Sequence, residues 1–390
     1  MSKTPLYCDY NAGAPIRAEA AVAMSRALAA GGNPSSVHGV GRRMRAMIED
    51  ARERIGAALD ARAENLVFTS GATEALHLAL AGALDRASSD APAGLKARGP
   101  CASLLASAVE HDAIFEHATR ALGADHIVPV DDSGVIELEA LAALLAQAEK
   151  PALVAVQLAN NETGVIQHIA QIAALCRQHG ALLLVDAAQA FGRIPVSIAD
   201  LDATYLVVSS HKLGGPPGAG AVVLAPGAPF VTTRFGGGQE RGRRPGTENG
   251  PALVGFAAAV DWALKDHEAE AARIGAMRDR FEAGLPKDAV IFGAGAPRLP
   301  NTSNFALPGL TAETAVIAMD LEGVAVSSGA ACSSGKVRSS RVLAAMGVAP
   351  DLAKAALRVS FGHESKESDV DAVLSALAKV AARRCREAAA

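Results

Sequence analysis

TYLVVSSHKLGGPPG, Thr204 to Gly218, sets an apolar β-branched run directly before a glycine- and proline-rich turn, with one lysine, Lys212, at the boundary. The run Tyr205 to Val208 reads as a buried strand, because β-branched and aromatic side chains suit a pleated, packed surface. Glycine and proline then end it. A lysine leaving a buried strand is a candidate covalent anchor. An amine attacks a carbonyl only when deprotonated, and burial lowers a lysine pKa in that direction. A solvated loop lysine is the competing reading, and the choice between them depends on the rest of the chain.

On both sides of that strand, short β-branched runs alternate with helical stretches. This is the pattern of an α/β fold in which a mostly parallel sheet is covered by helices. Strands are expected near Leu66 to Thr69, Ser103 to Ala108, His126 to Val130, Leu153 to Leu158, Leu182 to Val185, Tyr205 to Val208 and Ala221 to Leu224. Helices are expected at Glu74 to Leu84, Asp112 to Leu122, Leu138 to Gln147 and Ile169 to His179. Asp85 to Pro100 has the composition of an exposed connection. After the glycine-rich stretch Gly236 to Gly250, a helix-rich segment begins near Ala252. The expected division is therefore a large domain over 15–251 and a smaller α+β domain formed by 252–390 together with the arm 1–14. No internal repeat is visible.

Composition excludes several classes. The chain has 390 residues, half of them apolar, enough to bury a large core in two or three domains. A net charge of -4, with arginines scattered except at Arg241 to Arg244, offers no basic field and predicts no nucleic-acid partner. No apolar run is long enough to cross a bilayer and Met1 to Pro5 lacks a signal-peptide core, so no membrane association and a cytoplasmic location are expected. The five cysteines Cys8, Cys101, Cys176, Cys332 and Cys385 are far apart and show no C-x-x-C spacing, which suggests neither a disulfide framework nor a zinc site.

In an open sheet of this kind, ligands bind beyond the carboxyl ends of the strands. After Leu66 to Thr69 comes Ser70-Gly71-Ala72-Thr73, which offers backbone N–H groups, a hydroxyl and the positive end of a helix to a phosphate, and serves equally well as an ordinary helix cap. Glu110-His111 and Asn160-Asn161-Glu162-Thr163-Gly164 follow the next two long strands. Asp186 leaves an apolar strand where burial is expected, and a buried carboxylate needs a cationic or donating partner. A turn cap explains Asp186 as readily. Taken together, one crevice would hold a phosphate cradle, a carboxylate, amides, an imidazole and a lysine. Pyridoxal phosphate requires that set: a lysine for its aldehyde, a carboxylate for its pyridine nitrogen, donors for its phenolic oxygen and a planar group over its ring.

The ordered motifs extend over nearly the whole chain. They are YCDYNAGAP (Tyr7–Pro15), GNPSSVH (Gly32–His38), FTSGATEAL (Phe68–Leu76), VEH (Val109–His111), NNETG (Asn160–Gly164) and VDAAQAFG (Val185–Gly192). SSHK (Ser209–Lys212), GGGQERGRRPGTEN (Gly236–Asn249), LPNTSN (Leu299–Asn304), SSGAACSSG (Ser327–Gly335) and LRVSFG (Leu357–Gly362) complete them. The set resembles the cysteine desulfurases of the NifS and IscS type, in the class V aminotransferase group of fold-type I pyridoxal-phosphate enzymes.

The resemblance implies a fold-type I architecture with a seven-stranded sheet and a homodimer. It implies that Lys212 holds the cofactor covalently, that Asp186 pairs with the pyridine nitrogen, and that Gln189 and Asn161 lie beside the phenolic oxygen. His111 would stack on the ring and move protons. Ala72, Thr73, Ser209, Ser210 and His211 would surround the phosphate, with Thr247 reaching in from a second subunit. Arg358 would clamp the carboxylate of the substrate L-cysteine through its planar fork, helped by Asn33 and Asn161.

The reaction rests on Cys332. Its run of small residues provides little apolar anchoring, so a mobile loop over about 327–338 is expected to carry the thiol into the site. A small buried hydrophobe is the ordinary fate of a free cysteine, and Cys8, Cys101 and Cys176, each in or beside an apolar run, suit that description. By the resemblance, Cys332 would take the sulfur of L-cysteine as a persulfide, leaving L-alanine, and pass it to an acceptor. Acceptors of this group serve iron–sulfur cluster assembly, nitrogenase maturation, transfer-RNA thiolation and molybdenum cofactor synthesis. With an iron–sulfur scaffold protein as partner, the Cys332 sulfur could touch a nascent cluster transiently. TENG after Gly246 and the NNETG form lean towards the NifS-like branch.

Several positions depart from the family pattern. NAGAP stands for the usual NATTP, Ser210 for a frequent glycine, Pro217 for a lysine or glutamine, Pro245 for a small residue, and Lys336-Val337-Arg338 for Leu-Glu-Pro. They bear on loop geometry and partner choice more than on chemistry. The rival readings are a related pyridoxal enzyme, such as a serine or alanine to glyoxylate aminotransferase or a selenocysteine lyase, and a non-enzymatic protein that has kept the fold.

Overall fold

Buried runs build the central sheet: in five of its strands every residue is buried, and in the other two only Ile127 and Leu182 are partly exposed. The computed structural model describes residues 5–84, 100–122, 126–232, 234–329 and 340–387. The first half comprises β1 (Leu6–Tyr7), α1 (Ala18–Ala30), α2 (Gly39–Ala57), β2 (Leu66–Thr69), α3 (Ala72–Ala83), β3 (Ser103–Ser107), α4 (Asp112–Leu122), β4 (Ile127–Val128) and α5 (Leu138–Gln147). Next come β5 (Ala152–Gln157), α6 (Ile169–His179), β6 (Leu182–Asp186), β7 (Tyr205–Ser209), β8 (Gly220–Leu224), α7 (Gly250–Lys265) and α8 (His267–Ala283). The chain ends with β9 (Val290–Ile291), β10 (Thr302–Ala306), α9 (Ala312–Leu321), β11 (Val324–Ala325), β12 (Ser327–Ser328), α10 (Arg341–Ala345), α11 (Pro350–Lys354), β13 (Ala356–Ser360) and α12 (Glu367–Glu387).

Seven strands form one sheet in the order β2-β8-β7-β6-β5-β3-β4. Every pairing from β7 to β4 is parallel, and β8 alone runs against both its neighbours. In β7 the side chains alternate, Tyr205 and Val207 joining one apolar cluster and Leu206 and Val208 the other. Successive strand residues point to opposite faces, so a run apolar at every position means helices on both sides. The expected strands and helices appear with ends shifted by a few residues.

A third cluster, around Phe281, Phe305, Phe361, Val370 and Leu377, is the core of the smaller α+β unit. It contains Cys8, and β1 pairs with β11 there. The expected division at residue 252 would assign α7 to the smaller unit. Leu253, Phe256, Ala257 and Val260 of α7 belong to the same cluster as Met44 and Ile48 of α2, and α7 packs on α1 and α2. Side chains reach the third cluster only with Ile274 and Met277 of α8. Helical composition alone could not show which core α7 covers. We propose that the units meet at Asp266, between α7 and α8.

Candidate active site

The carboxyl ends of β2, β3, β5, β6 and β7 open into a cleft of about 450 Å³. Lys212 lines it. After β7 the chain makes a single turn of 3₁₀-helix, Ser210–Lys212, closed by hydrogen bonds from Leu213 N and Gly215 N to the Ser210 carbonyl. This turn directs the lysine back over the strand ends. Its Nζ donates to the backbone carbonyl oxygens of Asn11, at 2.5 Å, and Ala12, at 3.1 Å. The amine is therefore held by the N-terminal arm.

One edge of the cleft is the start of α3. Gly71 sits there at φ +154°, and no side chain caps the helix. A Cβ on Gly220 of β8 would lie 2.7 Å from Gly71, so two glycine backbones meet beneath the helix N-terminus. The Ser209 hydroxyl, at the end of β7, is buried without a hydrogen-bond partner among the described residues. Free N–H groups, a helix dipole and an unpaired hydroxyl form a ready anion site. Glu74 braces this edge from outside. It accepts from Ser70 N and pairs with Arg234 and Arg244; burial raises its carboxyl, but the hydrogen bonds from Arg244 and Ser70 outweigh that and hold it at about 2.

The floor holds carboxyl groups. Asp186 ends β6 and is 7% exposed. Burial raises its pKa, while the Ala188 N–H bond at 2.9 Å and the nearby His111 and Lys212 act in the opposite direction. A carboxyl group in this position needs a cationic partner to remain ionised. Next to His111, Glu110 is fully buried; Gln157 N donates to one of its oxygens at 2.7 Å, the other has no partner, and burial pushes its pKa well up. His111 lines the cleft before α4 and accepts at Nδ1 from Ala113 N, which leaves Nε2 to carry the proton of the neutral ring. His211 is held down to about 4 by burial, then by Lys212 and Arg193, so it is neutral near pH 7.

The small unit closes the cleft with Arg358 of β13, 1% exposed, which donates to the Asn161 carbonyl at 2.9 Å and to Asp9 at 2.6 Å. Gln189 lines the cleft and donates from Nε2 to the Asn11 carbonyl at 2.9 Å. Ala72, Thr73, Asn161, Ser209 and His211 also line it. The structure therefore gathers most of the expected residues, but not all. Ser210 is fully buried and does not line the cleft; its hydroxyl is turned towards Gly215, where an added Cβ would lie 2.2 Å away. Asn33 lies on an exposed turn, accepting from Ser35 N. Thr247 is exposed and does not line this cleft. Cys332 lies outside the described residues, as does most of its loop.

Both described ends of that segment are attached beside the cleft. Ser327 of β12 pairs with Arg358 itself, and Ser340 donates to Glu162, whose neighbour Asn161 lines the cleft, at 2.5 Å. Glu162 is buried, and burial lifts its carboxyl to about 7 against the pull of Ser340, Arg358 and Arg341.

Asn11 has no role in the sequence reading, yet it is central. Its carbonyl accepts from Lys212 and Gln189, and its side chain bonds the Asn161 carbonyl, Thr302 and Asn301. Asp9, Glu162, Glu74 and Arg193 likewise carry no role there. Their only signal was membership of quoted motifs or a position just beyond one. Cys8, Cys101 and Cys176 are buried thiols pushed up to about 12, 11 and 12, which suits packing rather than attack. Among the described residues no group of three or more His, Cys, Asp or Glu is placed to hold a metal ion, and no helix is long and apolar enough to cross a membrane.

Residues 6–373 match the model of the aminotransferase class-V family. The chain is 34% identical to a protein of Dictyoglomus turgidum named cysteine desulfurase IscS, over 97% of this chain and 95% of that one. It is 36% identical to a cysteine desulfurase of Sinorhizobium fredii, over 96% of each. A solved NifS-like protein from Rickettsia africae superimposes with a TM-score of 0.86 at 30% identity, covering 96% of this chain and 99% of that one. With its seven-stranded sheet and strand-end lysine, the chain belongs to the aminotransferase class-V family, in the group of the cysteine desulfurases.

Proposed function

We propose that this protein is a cysteine desulfurase that uses pyridoxal 5'-phosphate to convert L-cysteine to L-alanine and delivers the sulfur as a persulfide on Cys332. The observation that carries this reading is the convergence of Lys212, Asp186, His111, Gln189 and Arg358 on one cleft, with both ends of the Cys332 segment attached beside it. The chemistry of the donor set suits the cofactor. The helix start at Ala72 and Thr73, the unpartnered Ser209 hydroxyl and His211 would take its phosphate. Asp186 would take its ring nitrogen, and Gln189 and Asn161 would face its phenolic oxygen. When bound, the group would supply an electron sink for negative charge at the substrate's α-carbon.

The chain's own residues then have distinct tasks. Lys212 Nζ, released from the Asn11 and Ala12 carbonyls, would hold the cofactor covalently and accept or return the α-proton. His111 Nε2 would carry a second proton. Arg358 would present its fork to the substrate carboxylate. Cys332, as thiolate, would attack the substrate's γ-sulfur, so that the carbon–sulfur bond breaks and the sulfur remains on the protein. Thr247, exposed and away from this chain's own cleft, would complete the phosphate site of a second copy in a homodimer. The acceptor would be an iron–sulfur scaffold or another sulfur-accepting protein in the cytoplasm. Incubation with L-cysteine and a reductant should release alanine and sulfide in equal amounts; no alanine would end this reading.

A further inference from the structure

Past Asp186 the chain turns sharply. Gly192 adopts φ +81°, and a Cβ there would meet Leu213 at 2.9 Å, so a side-chain-bearing residue would be both strained and crowded. The turn brings Arg193 back beneath Gln189, with Arg193 N donating to the Ala190 carbonyl at 2.9 Å. The guanidinium then serves three separate segments. Nη1 donates to the Gln189 backbone carbonyl at 3.0 Å and to Gln189 Oε1. Nη2 donates to the carbonyls of Tyr10, at 3.0 Å, and Lys212, at 3.2 Å.

All four acceptors are neutral oxygens. Burial and the nearby Arg358 push the guanidinium down to about 9, which leaves it charged at neutral pH. A guanidinium only donates, whereas a glutamine amide can donate or accept depending on which way it is turned. Gln189 Oε1 must therefore face Arg193, and its NH₂ must face the Asn11 carbonyl and the cleft.

We propose that Arg193 is a positioning residue that locks the Gln189 amide with its donor towards the cofactor's phenolic oxygen and ties the Lys212 backbone to the N-terminal arm. The proposal rests on the reading that Lys212 holds pyridoxal phosphate with Gln189 beside the phenolic oxygen. Without the lock only the Asn11 carbonyl still orders the amide, and a half-turn, which keeps its shape, sets an acceptor against the phenolic oxygen. A donor there stabilises the anionic oxygen. Losing it raises the pH at which the bound chromophore changes absorption.

The test is a spectrophotometric pH titration of the holoenzyme. Arg193→Met should raise the midpoint by about one pH unit, the size of one hydrogen bond to a charged oxygen. Arg193→Lys, also donor-only, should stay near the wild-type value. The lock acts through Gln189, so Arg193→Met made on top of Gln189→Ala should shift the midpoint little further. Asp186, His111, His211, Lys212 and Arg358 face the same cleft; loss of the Arg193 charge acts on His211 and its neighbours in the Gln189 and the Gln189→Ala backgrounds alike, so that part cancels between the two pairs. If Arg193→Met does not fold, Arg193→Gln replaces it, since its amide can still donate to the backbone carbonyls but no longer enforces one orientation of Gln189. Equal shifts in both backgrounds would identify a bare charge effect and overturn the proposal, as would no shift. A wild-type protein with no cofactor band would instead overturn the underlying reading, and the proposal with it.

Discussion

Arg358 Nη2 donates to Asp9 Oδ1 at 2.6 Å, joining residues 349 positions apart across the mouth of the cleft. The guanidinium is 1% exposed, and its Nε has no partner among the described residues. It is a buried charge with one neutralising carboxylate and unused donor capacity, in the position where a substrate carboxylate would be read.

Arg358→Lys keeps the charge but removes the planar fork. The KM for L-cysteine should rise about 10- to 100-fold, the value of about 1.4–2.7 kcal/mol of bidentate contact, with a smaller effect on kcat. Steady-state alanine production measures both. An unchanged KM would remove Arg358 from substrate binding. Asp9→Asn keeps the shape and loses the neutralising charge, so the thermal unfolding midpoint should fall.

In the proposed function Lys212 and Cys332 would divide the work. Lys212→Ala should abolish the absorption band of the bound cofactor while the melting temperature of the apoprotein stays close to wild type. Cys332→Ala should keep the band and lose sulfide release. A band that survives loss of Lys212 would refute the anchor.

Glu162 introduces a pH dependence. Its carboxyl is lifted from the ordinary 4.5 to about 7 by burial. A raised folded-state pKa favours the protonated form, so its contribution to stability is complete below pH 4.5 and is lost as pH rises through 7. Glu162→Gln does not titrate. Its stability relative to wild type should therefore increase between pH 5 and pH 8 by roughly 3 kcal/mol. Urea unfolding at the two pH values tests this, and a pH-independent difference would show that Glu162 ionises freely in the folded protein.

Arg52 and Glu240 form a buried bidentate pair at 2.7 and 2.8 Å, and Glu240 also accepts from Phe68 N of β2 at 2.8 Å. Glu240 and Arg241 both have left-handed backbone, φ 48° and 56°, at a cost of about 1–2 kcal/mol each that the pair and its hydrogen bonds offset. Glu240→Ala leaves the buried guanidinium with only the more exposed Glu49, at 3.3 Å, as a carboxylate partner, so denaturant unfolding should show a loss of about 3 kcal/mol. The double variant Arg52→Met with Glu240→Leu should recover part of it, because neither charge then remains. No recovery would mean that the Phe68 hydrogen bond carries the effect.

The sequence by itself determined the strands of the sheet and which polar residues leave their carboxyl ends. Strand periodicity and turn residues are local signals, so the full burial of Ala152–Gln157 and Tyr205–Ser209 could be read from β-branched runs, and Asp186 and Lys212 could be placed at strand ends. Only the tertiary structure decided what is non-local. β8 runs against its neighbours because the short connection after Lys212 returns it beside β7, a path the composition does not encode. α7 covers the large core because its neighbours are α1 and α2, which lie far earlier in the chain. Asn11, Asp9 and Arg193 gained their roles from partners brought together by folding: Asn11 lies 201 positions from Lys212, and Arg193 meets the Lys212 carbonyl 19 positions on. A motif shows that a residue type is present, but whether its donors and acceptors face a ligand or a neighbouring carbonyl is set by packing between segments far apart in the chain.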